Sequence, residues 1–216
     1  MAKVLVIGAT GETGSRLVRA LVECGHNPVA LYRRDEQEQE LIAAGAIPFK
    51  GDLLSADVSF LEQAVSGVDA VVFTAGSNGG GDDQTDQIDL MGVVHSANAA
   101  LSAGVQRYLL VSAFPDAWRD RDMPPDFEHY MFVKRQADVH LSHTNLDWVI
   151  VRPGTLTNTP GTGAVRAGLA IPYGDVSRDN LARMLVSLIE APNVKRVIIE
   201  LTDGDTSIPQ AVSGFA

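Results

Sequence analysis

The sequence predicts an α/β fold in which a parallel β-sheet is covered by helices on both faces, for three reasons. Short apolar runs rich in β-branched residues alternate with helical segments along the chain. The first run, Lys3–Ile7, leads through a glycine-rich turn, Gly8–Gly14, straight into a helix. The 216 residues contain no repeat and suit one large α/β domain. We therefore expect a single NAD(P)-binding domain over residues 1–216, a Rossmann-type doubly wound parallel sheet of about seven strands in three α/β/α layers.

The individual elements follow from this alternation. The predicted strands are short, mainly apolar runs: Lys3–Ile7, Val29–Tyr32, Ala46–Lys50, Ala70–Thr74, Arg107–Val111, Asp147–Val151 and Arg196–Leu201. The predicted helices have helical periodicity: Ser15–Val22, Glu36–Ala44, Ala56–Val65, Gln84–Ala103, Asp126–Ser142 and a last one that Ser177 caps and that ends near Glu190. Residues 155–176 are rich in Gly, Thr and Pro and predict a short irregular segment on the substrate side.

Composition excludes several classes of partner. The chain carries 17 basic and 27 acidic residues, a net charge of −10, which argues against nucleic acid or an anionic membrane. Cys24 is the only cysteine, so no intrachain disulfide forms, and its place late in the first helix suits a buried apolar residue. The apolar start is too short for a secretory leader, and no run approaches the ~20 apolar residues of a membrane span. We expect a cytoplasmic protein with a small-molecule substrate; the sequence leaves the oligomeric state open.

The glycine turn is the strongest chemical signal in the sequence. A strand, a turn with Gly8, Gly11 and Gly14, and a helix follow one another directly, as a dinucleotide-binding unit requires. Gly8 permits the tight turn, Gly11 lets a pyrophosphate approach the backbone, and Gly14 lets the helix lie close to the strand. The turn therefore predicts cofactor contacts from Gly8, Thr10, Gly11, Glu12, Thr13 and Gly14. The alternative is an ordinary glycine-rich turn.

Two arginines follow the second predicted strand, where an NAD-binding site usually has an acidic residue. A guanidinium pairs with a 2′-phosphate and can stack on adenine, so Arg33 and Arg34 favour NADP(H) over NAD(H). The alternative is a pair of solvated arginines bound to Asp35 or Glu36. Asp52, after the third strand, is predicted to accept a hydrogen bond from the adenine amino group, with turn formation as the alternative.

Ligands of such sheets bind beyond the carboxyl ends of the strands, which marks further candidates. These are the residues that directly follow the fourth, fifth and sixth strands: Thr74, Ala75, Gly76, Ser112 and Pro153.

A tyrosine and a lysine are spaced for proton transfer. Tyr130 and Lys134 stand four residues apart on a predicted helix and so share one face, which is the inward one. An ammonium beside a phenol lowers the pKa of the phenol from ~10 toward neutrality and makes it a usable proton donor. Ser112, at the end of the fifth strand, is placed to bind the same substrate oxygen. We therefore predict Ser112, Tyr130 and Lys134 as the catalytic residues.

In its motifs the sequence resembles the short-chain dehydrogenase/reductase superfamily. The similarity is to its small atypical NAD(P)H-binding branch, with flavin/biliverdin reductase-like and NAD(P)-dependent epimerase/dehydratase-like proteins. The matching motifs cover nearly the whole chain in order: GATGETG at Gly8–Gly14, Arg33, GDL at Gly51–Leu53, TAG at Thr74–Gly76, VSA at Val111–Ala113, YMFVK at Tyr130–Lys134, RPG at Arg152–Gly154 and SRDNLA at Ser177–Ala182.

The resemblance implies roles for particular residues. Tyr130 is the proton donor or acceptor, Lys134 binds the nicotinamide ribose and tunes Tyr130, and Ser112 orients the substrate. Leu53, within the GDL motif, joins the cofactor-binding residues. Two departures from the better-known branches stand out: Asp89 occupies roughly the place of an asparagine that supports a proton relay, and 18 residues separate Ser112 from Tyr130.

The function expected from these features is an NADP(H)-dependent oxidoreductase. Hydride would pass to a small carbonyl, quinone or flavin-like substrate. The alternatives are an NADP(H)-binding redox sensor without turnover and, with less support, a nucleotide-sugar epimerase. Four apolar residues between Ser112 and Tyr130 either form a wall for a flat substrate or pack the loop onto the core: Phe114, Trp118, Met123 and Phe127. The histidines at 129, 140 and 143 lack companion ligands, so no metal site is predicted.

Overall fold

The computed structural model describes residues 1–119 and 121–216 and contains a mostly parallel sheet of nine strands. In chain order the strands of this sheet and of a separate two-stranded sheet are β1 (Lys3–Ile7), β2 (Asn27–Tyr32), β3 (Ile47–Lys50), β4 (Ala70–Phe73), β5 (Arg107–Val111), β6 (Asp147–Pro153), β7 (Thr155–Thr157), β8 (Ala164–Gly168), β9 (Asp175–Ser177), β10 (Val197–Asp203) and β11 (Thr206–Ser207). The two-stranded sheet is formed by β7 and β9. The large sheet has the order β11-β8-β10-β6-β5-β4-β1-β2-β3. All seven predicted strands are present and mutually parallel, which confirms the doubly wound sheet.

Helices cover both faces of this sheet. They are α1 (Glu12–Glu23), α2 (Glu38–Ala43), α3 (Val58–Val65), α4 (Asp82–Thr85), α5 (Gly92–Ser102), α6 (Pro125–Ser142), α7 (Arg178–Glu190) and α8 (Ile208–Ser213). One apolar core lies between the sheet and α1, α2, α7 and α8, and a second lies between the sheet and α3, α5 and α6. The predicted three-layer α/β/α architecture is therefore confirmed.

The segment predicted to be irregular is partly ordered into strands, and here the sequence prediction was wrong. Within residues 155–176, β7 pairs with β9 in a small parallel sheet, and β8 adds to the large sheet antiparallel to β10. The chain end, predicted as a short tail, contributes β11 and α8. The sequence did not predict these short strands, because the segment is rich in glycine and threonine and has no long apolar run. The strands pair with β10 and with one another instead.

The long helix predicted over Gln84–Ala103 is divided by a change of winding. A π-helical segment, Asp86–Met91, lies between α4 and α5. π-helical turns are rare and cluster at functional sites, and this one contains the fully buried Asp89. Cys24, expected to be buried, is exposed because it lies just beyond the end of α1. Within the described ranges, no helix is both long and apolar enough to cross a membrane.

Candidate active site

The glycine turn forms a narrow cradle at the carboxyl end of β1. Gly8 has a φ of +89°, and a Cβ added there would meet the backbone nitrogen of Ala75 at 2.5 Å. A Cβ on Gly14 would lie 2.0 Å from the carbonyl oxygen of Gly8. The side chain of Thr74 donates to the carbonyl oxygen of Ile7 at 3.0 Å, which fixes the end of β4 against the turn. The turn is thus packed from below, and only its outer surface is free for a ligand.

The outer surface of the turn exposes backbone donors. Thr10, Gly11 and Glu12 are exposed, whereas Thr13 and Gly14 are buried under them. Helix α1 begins after Gly11, and no side chain caps its first turn. The N–H of Gly11 donates to the carbonyl oxygen of Gly8 at 3.0 Å, but the N–H groups of the first turn of α1 and the positive end of the helix dipole can receive an anion.

We expect Gly14→Ala to destabilise the fold strongly and Gly11→Ala to do so weakly. The Cβ at position 14 collides with a backbone oxygen, so the strand–turn–helix unit must open, at a cost of about 1–3 kcal/mol or more. A Cβ on Gly11 meets only the carbonyl oxygen of Gly8, at 3.3 Å, and needs no unusual φ. Urea unfolding of both variants measures the difference, and equal losses would contradict it.

A cavity of about 270 Å³ adjoins the glycine turn between α1 and α2. Its lining includes Thr10 and Ser15, the guanidinium-bearing residues Arg19 and Arg34, and the acidic residues Glu36 and Glu40. Nε of Arg34 lies 3.0 Å from Oε1 of Glu36. This ion pair agrees with the alternative that the sequence left open, in which the arginines bind Asp35 or Glu36. The cavity nevertheless brings two arginines beside the turn, and Arg19 is one that sequence reasoning missed. Its signal was its place one turn after Ser15 on α1.

The other predicted adenine-side residues lie next to one another but outside the lining of this cavity. Arg33 is exposed, and its Nη1 lies 3.9 Å from Oδ1 of Asp52. Asp52 accepts a hydrogen bond from the backbone nitrogen of Leu54 at 3.1 Å, so it shapes its own turn. Leu53 is half-buried in the same turn. The structure therefore separates the two arginines: Arg34 lines the cavity at the glycine turn, whereas Arg33 faces Asp52.

Glu12 is bound by residues that the sequence did not connect with it. Its carboxylate lies 3.0 Å from Nη2 of Arg178, at the start of α7, and accepts from Nδ2 of Asn158 at 3.4 Å. Arg16 bonds Asp179 at 3.0 Å and Asn158 at 3.2 Å. These contacts tie the end of β7 and the start of α7 to α1, beside the glycine turn. The sequence did not indicate these contacts, because the paired residues are more than a hundred positions apart in the chain.

The predicted catalytic lysine is buried in an ion pair. Lys134 is 3% exposed, and its Nζ donates to the carbonyl oxygen of Val111 at 3.1 Å and to Oδ1 of Asp89 at 3.4 Å. Asp89 is fully buried, and its second oxygen accepts from the backbone nitrogen of Ser77 at 2.9 Å. The π-helical segment thus supplies the counter-charge for the lysine. It also fixes the loop that follows Thr74, Ala75 and Gly76.

Burial reverses the expected effect on the tyrosine. Burial raises the pKa of Tyr130; Lys134 acts to lower it, and Asp89 and Asp138 add to the rise. The prediction that the ammonium brings this pKa toward neutrality was therefore wrong. For Lys134, burial acts to lower the pKa, but Asp89, Tyr130 and Asp138 outweigh it and raise the pKa. The lysine is consequently charged and the phenol protonated at neutral pH.

Ser112 adjoins a second cavity, of about 260 Å³, between α6 and the ends of β5 and β6. Lys134 also lines this cavity, together with Asp138 and Arg152, whereas Tyr130 is not among the lining residues. Arg152 directs both Nε and Nη2 at Oδ2 of Asp138, each at 2.9 Å. Asp138 lies one turn beyond Lys134 on the same stripe of α6, so the helical periodicity could have identified it. Pro153, at the end of β6, is buried.

The aromatic residues in the loop before α6 and at the start of α6 differ in burial. Phe114 is 1% exposed and meets Tyr173 edge-on at 5.3 Å, so it packs the loop onto the core. Trp118 stacks on Phe127 at 5.2 Å, and Phe127 in turn lies 6.1 Å from Tyr130. His129 bonds Asp86 at 2.9 Å. In the part of the chain that the structure describes, no three His, Cys, Asp or Glu side chains are grouped as metal ligands.

Comparisons with known proteins identify relatives over the full length of the chain. A family model described as NAD(P)H-binding matches residues 8–192. The protein named uncharacterized sugar epimerase YhfK, from Bacillus subtilis strain 168, is 36% identical over 97% of this chain and 98% of its own.

Two solved structures extend this similarity. A putative NAD-dependent epimerase/dehydratase from Bacillus halodurans superposes with a TM-score of 0.90 at 33% identity, over 99% of this chain and 100% of the other. A short-chain dehydrogenase/reductase from Veillonella parvula DSM 2008, solved in complex with NADP, has a TM-score of 0.73 at 19% identity, over 95% and 96% of the two chains. The second similarity shows the fold alone.

Proposed function

The chain belongs to this NAD(P)H-binding family, and from that premise we propose that it is an NADP(H)-dependent oxidoreductase of the short-chain dehydrogenase/reductase type. The observation that carries the proposal is the convergence of Ser112 and Lys134 on one cavity at the carboxyl edge of the sheet, with Tyr130 one turn from Lys134 on α6.

The glycine turn fits a dinucleotide. The cradle of Gly8, Gly11 and Gly14 leaves no room for side chains below it and presents the uncapped first turn of α1 above. This turn would hold the pyrophosphate, and Lys134 would hold the nicotinamide ribose. Thr74, Ala75, Gly76 and Pro153 would border the nicotinamide. When bound in its reduced form, the cofactor supplies a hydride.

The remaining steps belong to side chains of this protein. Ser112 donates a hydrogen bond to the substrate oxygen and so orients the carbonyl. Tyr130 gives its proton to that oxygen as negative charge develops there. Lys134, kept charged by Asp89, stabilises the phenolate that remains. A small carbonyl, quinone or flavin-like compound is the substrate class proposed.

Binding and turnover are tested with the unmodified protein. We expect NADPH to raise the melting temperature and to be oxidised, at 340 nm, when a panel of carbonyl compounds, quinones and flavins is supplied. Binding without oxidation by any compound would favour the alternative, a redox-sensing protein, which the raised pKa of Tyr130 also supports. Failure to bind NADPH or NADH would contradict the whole proposal.

The proposed preference for NADP(H) rests on Arg34 more than on Arg33. Arg34 lines the cavity at the glycine turn, together with Thr10 and Arg19, and this is the position that a 2′-phosphate would occupy. We expect Arg34→Ala to weaken NADPH binding by about tenfold or more, since a charge-assisted hydrogen bond contributes about 1.5–3 kcal/mol. NADH binding should change little.

Calorimetry with both cofactors measures this effect, and Arg33→Ala is the matched control. Because Arg33 faces Asp52 outside the cavity lining, its removal should weaken NADPH less than the removal of Arg34. Equal losses for NADPH and NADH in Arg34→Ala would remove this residue from the 2′-phosphate site.

A further inference from the structure

Two buried polar atoms in the second cavity lack hydrogen-bond partners. These are the hydroxyl oxygen of Ser112 and Oδ1 of Asp138; among the described residues neither makes a hydrogen bond of acceptable geometry. Ser112 is 5% and Asp138 4% exposed. An unpaired buried polar atom loses its hydration without compensation, so such atoms are rare unless a ligand or water completes them.

The two atoms lie close together at one cavity. Both residues line the cavity of about 260 Å³. Burial raises the pKa of the Asp138 carboxyl, and the nearby Ser112 hydroxyl and the Arg152 guanidinium act against that rise. The other oxygen of Asp138 is occupied, because Arg152 directs two nitrogens at it. A ligand atom in this cavity therefore meets a hydroxyl that can donate and a carboxylate oxygen that accepts.

This pair of groups selects the chemistry of its ligand. A carbonyl oxygen alone accepts from Ser112 but leaves Asp138 without a donor. A quinone or flavin ring that places only acceptor atoms in this cavity also leaves Asp138 without a hydrogen-bond donor. A hydroxyl next to a carbonyl satisfies both groups, because the carbonyl accepts from Ser112 and the hydroxyl donates to Asp138.

We propose that the cavity between α6 and the ends of β5 and β6 is a substrate subsite for α-hydroxycarbonyl compounds, with Asp138 as the residue that binds their hydroxyl group. This proposal rests on the proposed function and deepens it. Arg152 acts as a positioning residue, since the hydrogen bond from its Nε and the ion pair with its Nη2 both fix Oδ2 of Asp138 and leave Oδ1 for the ligand.

The reaction balances as a two-electron reduction. The carbonyl carbon gains a C–H bond by accepting hydride from the reduced nicotinamide, and the C=O π electrons move to the oxygen. That oxygen takes the proton of Tyr130, which solvent later replaces. The α-hydroxyl group is unchanged, so the product is a vicinal diol, and the nicotinamide leaves oxidised.

Matched substrates test the subsite in the full-length protein. We expect kcat/KM with NADPH to be about tenfold or more higher for 3-hydroxy-2-butanone than for 2-butanone, because a site built to bind a hydroxyl rejects the analogue that lacks it. The variant Asp138→Leu/Arg152→Met replaces the buried ion pair as a unit, which preserves packing better than removal of one partner. The preference should fall to near one in this variant.

Two further variants keep the test decisive. Asp147→Leu/Lys195→Met removes an ion pair of 3.2 Å at the other end of β6 and should retain the preference. If the first double variant does not fold, Ala113→Leu fills the cavity without touching the ion pair and should remove the preference instead. Equal rates for the two ketones in the unmodified protein would overturn the proposal, as would a preference that survives both changes.

Binding separates this proposal from the proposed function. If no ketone is reduced, calorimetric titration of the same two ketones into the NADP⁺ complex decides: tighter binding of the hydroxyketone supports the subsite while the oxidoreductase function fails. Equal or no binding overturns the subsite, and the two polar atoms are then satisfied by water or by each other. NADPH oxidation by a quinone without any hydroxyketone preference overturns the subsite and leaves the oxidoreductase standing.

Discussion

Replacing Tyr130 by phenylalanine should reduce NADPH-dependent turnover by about 10²–10⁴, the contribution expected of a positioned proton donor. The ring remains, so its contact with Phe127 at 6.1 Å and the packing of α6 are preserved. Only the phenolic O–H is lost. We therefore expect the stabilisation of the protein by NADPH to stay as it is while the rate falls.

Tyr173→Phe is the matched control for this change. It also removes one phenolic hydroxyl, which pairs with the hydroxyl of Thr155 at 2.5 Å, but this tyrosine packs against Phe114. The turnover of Tyr173→Phe should remain within a few-fold of that of the unmodified protein. A rate for Tyr130→Phe that falls by less than tenfold would exclude Tyr130 as the proton donor.

The pH profile of reduction reports on the same phenol. Reduction needs the protonated form, and burial raises the pKa of Tyr130 above its ordinary value of about 10. The rate should therefore be level from pH 7 to about pH 9 and fall only as the pH rises through that higher value. A fall between pH 7 and pH 9 would indicate the lowered pKa that the spacing to Lys134 alone suggests.

Replacing Lys134 by methionine should destabilise the fold by about 3–5 kcal/mol, the usual cost of leaving one member of a buried ion pair without its partner. Asp89 is fully buried, and in this variant the hydrogen bond from the backbone nitrogen of Ser77 is the one that remains to it among the described residues. Urea unfolding monitored by circular dichroism measures the loss. It corresponds to roughly two to three and a half powers of ten in the unfolding constant.

The double variant Lys134→Met/Asp89→Leu distinguishes charge from packing. Replacing both members of a buried pair by apolar side chains is often neutral, so the double variant should recover most of the lost stability. If it is as unstable as Lys134→Met, the loss comes from packing around α6 rather than from the unpaired carboxylate. A loss below about 1 kcal/mol in Lys134→Met would show that Asp89 is reached by water.

Local patterns predicted the sheet well, because each parallel strand carries its own signal. A strand buried on both faces must be an almost continuous apolar run, as Ala70–Phe73 is throughout and Arg107–Val111 is after its first residue. The cap of α7 is also local: Ser177 accepts from the backbone nitrogen of Asp179, as predicted. The strands β8 and β11 escaped prediction because they take their register from distant partners.

The candidate site was predicted where it depends on a turn or on helical spacing. Gly8 and Gly14 are required by contacts within a few residues or at the adjoining strand end, and Tyr130 and Lys134 share a face because a helix turns every 3.6 residues. The neighbours that modify these residues come from elsewhere in the chain. Asp89 reaches Lys134 from 45 positions away. Burial raises the pKa of Tyr130 despite the opposing charge of Lys134, and Asp89 adds to that rise.

The sequence by itself determined the parallel α/β sheet, the glycine cradle at the end of β1 and the family to which the chain belongs. The tertiary structure alone decided that Arg34 rather than Arg33 adjoins the glycine turn, that Asp89 balances Lys134, and that Asp138 presents a carboxylate oxygen beside Ser112. The physical reason is the range of the interactions. Backbone geometry and helical period act within a few residues, whereas burial and ion pairing depend on which distant elements the fold packs together.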